Sequence, residues 1–173
     1  SINEYLVSAF MWSVYNEYLH GMPSDKPIRV AVPVNLRPYF NSITTKNFFV
    51  MTSAEFHPKN ESYTFEEVAQ IVRESLRSQM TSEHLEEIFS YNVSIQKRWY
   101  LKIVPIPLKN LAMRHVYSQS ALANTTTITN VGVIQIDEPY KQYIDQFHAF
   151  LSLSKGQYIK GTVLTYNGTL VFS

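Results

Sequence analysis

The sequence predicts a two-layer α/β sandwich of the α+β kind, with helices packed on a mixed, largely antiparallel sheet. Two observations carry that expectation. Apolar residues recur at helical spacing near the start and again between about residues 64 and 96, whereas the last third alternates with the period of a strand. The resulting order is α-β-β-α-α-β-β-β-β, with no internal repeat and no low-complexity linker, and 173 residues suit a single domain.

SINEYLVSAFMWSVYNEYLHG opens with Ser1 and Glu4 spaced as a capping box. Leu6, Val7, Phe10, Met11, Val14 and Tyr18 then form the apolar stripe of a helix, and Gly21 followed by Pro23 supplies its stop. IRVAVPVNLRP (Ile28–Pro38) reads as a strand with Val30, Val32 and Val34 on one face. Pro33 has no amide hydrogen, so this part of the strand is expected at an edge or a bulge. NFFVMTSAEFH (Asn47–His57) is the second strand. Thr64 and Glu67 make another capping box, Tyr63 is placed to staple onto Val68, and Phe65, Val68, Ile71, Val72 and Leu76 form a stripe running to about Met80. A further helix is expected from about Ser82 to Gln96, carrying Leu85, Ile88, Phe89 and Val93. Pro105 and Pro107 interrupt it, and helix resumes over Leu108–Ser120.

TTTITNVGVIQID (Thr125–Asp137), QYIDQFHAFLSL, GQYIKGTVLTY and GTLVFS read as strands, with Asn167-Gly168 as a type I′ hairpin turn between the last two. The first of these is unusual. Asparagine has poor strand propensity and glycine packs nothing, yet Asn130 and Gly132 stand in its middle. The chain starts on a helix cap without an initiator methionine and stops within an apolar alternation, so we expect a piece of a longer protein.

Composition excludes several function classes. Fifteen basic and fourteen acidic residues leave a net charge of +1, a poor basis for extended nucleic-acid binding. Twelve tyrosines and ten phenylalanines are spread along the chain instead of being interleaved with basic clusters. With no cysteine there is no disulfide framework and no thiolate chemistry, which suits a cytoplasmic location. No apolar run is long enough for a transmembrane segment and no secretory signal is seen, so the N-x-S/T triplets at Asn60, Asn92, Asn124 and Asn167 read as incidental.

Five glycines (Gly21, Gly132, Gly156, Gly161, Gly168) build neither a dinucleotide fingerprint nor a phosphate loop, and G-x-S-x-G is absent. The five histidines are isolated and suggest no metal site. His57 beside Pro58 fits a solvated turn, and His148 in QFHAF has no orienting partner nearby in sequence. Glu66-Glu67 and Glu86-Glu87 fit a cap or exposed helix faces, and Trp12 and Trp99 fit core or interface packing.

Three stretches, in order, resemble the C-terminal half of CoA-dependent acyltransferases of the chloramphenicol-acetyltransferase-like superfamily, which includes alcohol acetyltransferases, wax-ester synthases and condensation domains. Ser1-Ile2-Asn3-Glu4 with its apolar run is similar to the helix opening that half, and VPVNLRP to a Val-Pro-Val-x-x-Arg strand end. Thr129-Asn130-Val131-Gly132 is similar to a Ser/Thr-Asn-x-Gly strand; the closing GTVLTYNGTLVFS resembles the terminal hairpin. The resemblance implies one half of a two-lobed fold whose lobes meet at a tunnel. It also implies that the general base lies in a His-His-x-x-x-Asp-Gly motif, which this chain lacks.

On that footing the chain is a single C-terminal acyltransferase subdomain spanning residues 1–173, with no catalytic residue of its own. Asn130 and Gly132 are the substrate-tunnel candidates, Asn130 hydrogen-bonding a substrate or pinning a loop and Gly132 leaving room for a close approach. Asn3, Asn35 and Arg37 are structural or interface candidates, Arg37 ordering a loop through a carboxylate. The implied co-substrate is acetyl-CoA or a longer acyl-CoA, with no bound cofactor or metal, and the acceptor is an alcohol. The implied partner is the N-terminal half of the same polypeptide; an exposed apolar face also makes a homodimer conceivable. Two other readings stay open: a condensation-type domain acting on carrier-protein thioesters, and a non-catalytic binding or assembly module with this fold.

Overall fold

The computed structural model describes residues 1–153 and 156–173, and every side chain there except those of Gln96, Tyr100, Leu101, Ser120 and Ala121. Helix α1 (Ile2–Ser13) starts at the expected box: the Ser1 side chain accepts from the Glu4 amide, and Glu4 reaches back to the Ser1 nitrogen at 2.7 Å. Its buried face is Val7, Met11 and Tyr15, whereas Tyr18, expected in the stripe, is 79% exposed. The helix widens into a π-turn over Val14–Tyr18. The extra residue per turn rotates the stripe, so the i+7 position from Met11 no longer returns to the core. The buried Tyr15 hydroxyl donates to Gly21 O at 2.6 Å and lies 3.5 Å from the Tyr63 amide.

Strands β1 (Ile28–Asn35) and β2 (Phe49–Phe56) pair antiparallel along their whole length, Ile28 opposite Phe56 and Asn35 opposite Phe49. Their strict alternation divides the sheet into two faces. Val30, Val32, Val34, Val50, Thr52, Ala54 and Phe56 are buried, and most of them pack against α1 and α2 (Phe65–Gln79). The Thr64–Glu67 capping box starts α2, and Val68, Val72 and Leu76 bury its inner face. Helix α3 (Ser82–Lys97) contributes Leu85 to a second cluster with Val34, Leu36 and Val50. A short α4 (Trp99–Ile103) and α5 (Ile106–Leu122) follow. Trp12 packs edge-on against Phe65 with ring centroids 5.9 Å apart, whereas Trp99 is 71% exposed and belongs to no core.

Strand β3 (Thr126–Val133) enters beside β1 in parallel, followed by the short α6 (Glu138–Lys141), β4 (Gly161–Tyr166) and β5 (Thr169–Phe172). The sheet order is β2-β1-β3-β4-β5. It is mixed as expected: β1/β2 and β4/β5 are antiparallel, β1/β3 and β3/β4 parallel. Asn167 and Gly168 both have positive φ (48° and 76°), the signature of the type I′ turn read from Asn-Gly.

One expectation is corrected and another is met. QYIDQFHAFLSL forms no strand: its residues follow α6 as turn and irregular backbone. β4 is paired on both sides, by β3 and by β5, so this segment meets no free ladder there. It packs instead through Phe147 on the Tyr166 ring (centroids 5.0 Å), and the Tyr166 hydroxyl donates to Ile144 O at 3.2 Å. Pro33 meets its expectation: β1 is internal in the sheet order, but this part of it has no ladder on the β3 side. The β1/β3 ladder registers only Val30 with Thr126 and Ala31 with Thr127, so it has ended before the proline.

Candidate functional site

The site arises where β3 changes partner. Its first residues pair with β1, and from Ile128 opposite Gly161 onward it pairs with β4. Beyond Ala31, β1 and β3 therefore run without a shared ladder. On the sheet face turned away from α1 and α2, a cleft of ≈ 410 Å³ opens at this divergence. The odd-numbered residues of all three strands line it: Pro33 and Asn35 from β1, Phe49 and Met51 from β2, Thr127 and Thr129 from β3. Arg37, Asn47 and Phe48 close one side, Asn130 the lip, and Leu151 reaches over from the irregular segment.

Asn130 and Gly132 occupy a β-bulge. Asn130 is opposite Val163 and Gly132 opposite Leu164, so Val131 is the extra residue. Gly132 has φ +86°, a left-handed conformation that a side chain would strain. No atom lies within 4 Å of where its Cβ would stand, so backbone conformation, and not close approach, accounts for the glycine. The Asn130 Oδ1 accepts the Gly132 amide at 2.8 Å and so clips the bulge from within. That bond fixes the orientation of the amide, leaving Nδ2 to donate to Asn3 Oδ1 at 2.9 Å, across 127 positions of sequence. Asn3 thus ties the first turn of α1 to the rim of the cleft.

Asn35 and Arg37 form a second clip. The Asn35 Oδ1 accepts the Arg37 amide at 3.1 Å and its Nη1 at 3.4 Å. Arg37 Nη2 donates to Thr44 O (3.2 Å) and Lys46 O (2.9 Å). The expected carboxylate is not its partner: Arg37 orders the loop before β2 through carbonyl oxygens, and among the described residues it makes no ion pair. Four of the five residues singled out from sequence thus form two hydrogen-bonded pairs, Asn3 with Asn130 and Asn35 with Arg37. Gly132 joins the first pair through its amide.

The lining of the cleft offers amide and hydroxyl groups beside Pro33, Phe48, Phe49, Met51 and Leu151. Among the described residues Arg37 is the one charged residue of that lining, and no histidine or carboxylate stands there to move a proton. Its apolar wall escaped the sequence reading, although the signal was there: Phe49 and Met51 alternate with the buried Val50 and Thr52.

The titratable groups lie elsewhere. Glu55, further along the same sheet face, takes the Arg29 Nε at 2.6 Å and the His57 Nε2 at 2.5 Å. The Arg29 bond first, and then the His57 contact, hold its carboxyl below the usual range despite partial burial. A larger groove of ≈ 590 Å³ lies between α1 and α2, and both arginines of its lining turn to Glu4. Arg77 Nε sits 3.2 Å and Arg73 Nε 3.7 Å from Glu4. His148 is exposed and contacts Gln146, Ser173 and the Phe150 ring, with no carboxylate to orient it. No cluster of metal-ligating residues occurs among the described residues. No helix among them is long and apolar enough to cross a membrane.

No family model matches the chain, and no curated protein matches its sequence. Among solved structures it is similar to vinorine synthase, at 12% identity and a TM-score of 0.48. That alignment takes in 99% of this chain, which spans 36% of the length of the other.

Proposed function

We propose that this chain is the C-terminal, substrate-shaping subdomain of an acyl-CoA-dependent acyltransferase that acylates a hydroxyl compound. One observation carries the reading. The three stretches that resemble such enzymes, SINE, VPVNLRP and TNVG, are far apart in sequence yet meet at one cleft. Asn130 bonds Asn3, and Asn35, Arg37 and Asn130 line the same walls. Unrelated short matches have no reason to converge in this way.

In this reading the cleft is one wall of the acyl-transfer tunnel, its apolar surface facing substrate carbon and its amides hydrogen-bonding polar groups. The general base, which takes the acceptor proton as the oxygen attacks the thioester carbonyl and the CoA thiolate leaves, comes from the other half. The chain alone then binds without turning over. That no histidine or carboxylate stands among the described lining residues also favours a second reading, a binding module without chemistry.

The test uses the whole natural protein that contains this chain, assayed for free thiol release from acetyl-CoA with a panel of alcohols and amines. Acceptor-dependent release from alcohols, reduced by Asn130→Ala, is expected. Release with amines alone supports the condensation-type chemistry, and none with any acceptor leaves the binding module. The isolated 173-residue chain should give no transfer in either case.

A further inference from the structure

The two edges of the sheet are finished differently. On β2 the outward Ser53 amide donates to Gln79 Oε1 at 3.2 Å, and Ser53 O accepts from Gln79 Nε2 at 2.8 Å. Next along, the Glu55 amide donates to Ser75 Oγ at 3.1 Å. Helix α2 thus occupies with side chains the backbone groups that another strand would use. On β5 nothing comparable is seen. Ser173 and Thr162 exchange both backbone bonds at 2.9 Å, so Ser173, Val171 and Thr169 bond inward, and Leu170 and Phe172 present their N–H and C=O groups outward. Among the described residues no backbone partner meets that outward pair, and their side chains are 45% and 58% exposed.

We propose that the outer edge of β5 pairs antiparallel with β5 of a second copy of this chain, centred on Val171, so that two five-stranded sheets join across a two-fold axis. Charge argues for a like partner. Residues 161–173 contain no charged side chain and no proline, two of the devices by which sheet edges are kept single. At a two-fold any charge on this strand would meet its own sign nearby, and here there is none to repel. The register follows from the outward groups. Leu170 faces Phe172 of the partner subunit in a hydrogen-bonded pair and Phe172 faces Leu170 of the partner subunit in another. Together these make about four backbone bonds, with Val171 meeting Val171 of the partner subunit between them. The cleft lies between β1 and β3, beyond β4 from this edge, and stays open, so the pairing stands or falls independently of the acyltransferase reading.

The chain has no cysteine, so Val171→Cys introduces a lone thiol on the axis. In a non-hydrogen-bonded antiparallel pair the Cα atoms lie about 4.5 Å apart, within the roughly 4.4–6.8 Å that a disulfide spans. Thr169→Cys is the control, displaced from its own copy by roughly 13 Å along the strand. After oxidation in air with copper phenanthroline, V171C should run as a covalent dimer on a non-reducing gel, formed at least about tenfold faster than with T169C. Equal rates, or no crosslink at Val171, would overturn the proposal. Sedimentation velocity gives a second, independent measurement. The unmodified chain should show a concentration-dependent dimer, the L170K/F172K and L170E/F172E variants should be monomers, and an equal mixture of the two should form a heterodimer. An unmodified chain that is monomeric at every concentration, or a mixture that stays monomeric, would sink it as well.

Discussion

The Asn3–Asn130–Gly132 chain of hydrogen bonds sets a prediction that a double-mutant cycle can test. Asn130 makes two bonds, one to the Gly132 amide at 2.8 Å and one to Asn3 at 2.9 Å, whereas Asn3 shares only the second. Asn130 is exposed and Asn3 half-buried, so each bond belongs near the low end of the net range, about 0.5–1 kcal/mol. Asn3→Ala should therefore cost about 0.5–1 kcal/mol, and Asn130→Ala about 1–2 kcal/mol because the bulge loses its clip as well. The double variant should cost scarcely more than Asn130→Ala alone, giving a coupling of about 0.5–1 kcal/mol. Asn130→Asp keeps an acceptor for Gly132 and lets Asn3 turn its amide, so it should cost less than Asn130→Ala. The assay is urea unfolding followed by circular dichroism, with a common m-value checked across the set. Strict additivity, or equal costs for the two alanine variants, would refute a shared bond that anchors the rim.

Other predictions follow from single positions. Gly132→Ala should cost about 1–2 kcal/mol through backbone strain alone, since φ is +86° and the added methyl meets nothing within 4 Å; a neutral result in the same unfolding assay would mean that the bulge relaxes. Thr162 is 2% exposed and its hydroxyl has no partner among the described residues. Thr162→Val should thus be neutral or stabilising by up to about 1 kcal/mol, and a loss of melting temperature would reveal a bond to solvent. Glu55 contributes stability above the unfolded glutamate value of about 4.3 and loses it as pH falls through its lower folded value, because Arg29 favours the ionised form. The gap between the parent chain and Glu55→Gln should stand at about 0.5–1 kcal/mol at about pH 5 and close as pH falls through the lowered folded value; a gap that widens below about pH 5 contradicts the assignment.

Much of the fold was legible because local signals and tertiary packing agree. Ser1 with Glu4 and Thr64 with Glu67 are capping boxes in sequence and in space, and Asn167-Gly168 turns as its composition demands. The errors fall where a local pattern competes with something longer-ranged. Tyr18 left the core because a π-turn changed the helical period, which no count of apolar spacing registers. Residues 142–153 alternate like a strand, but a ladder needs an edge within reach, and which edges lie within reach is a property of the assembled sheet. The site divided in the same way. Its polar residues were visible as oddities, since asparagine and glycine interrupt a β-branched run; their convergence was not, because the Asn3–Asn130 bond spans nearly three-quarters of the chain.

The position of the cleft follows from the same backbone economy. A strand that leaves one neighbour for another must open a gap on the side it leaves, and β3 does so between Thr127 and Ile128. The gap would close if the strand could slide back into register with β1. The bulge at Val131 prevents this, because an extra residue on β3 fixes its phase against β4. Asn130 then braces the bulge and ties it to α1, and Arg37 holds the opposite bank through Thr44 and Lys46. Both banks are therefore set by hydrogen bonds within the chain, and neither depends on a ligand for its shape. That is the arrangement of a binding wall: pre-formed, mostly apolar, and lined, among the described residues, by no histidine or carboxylate.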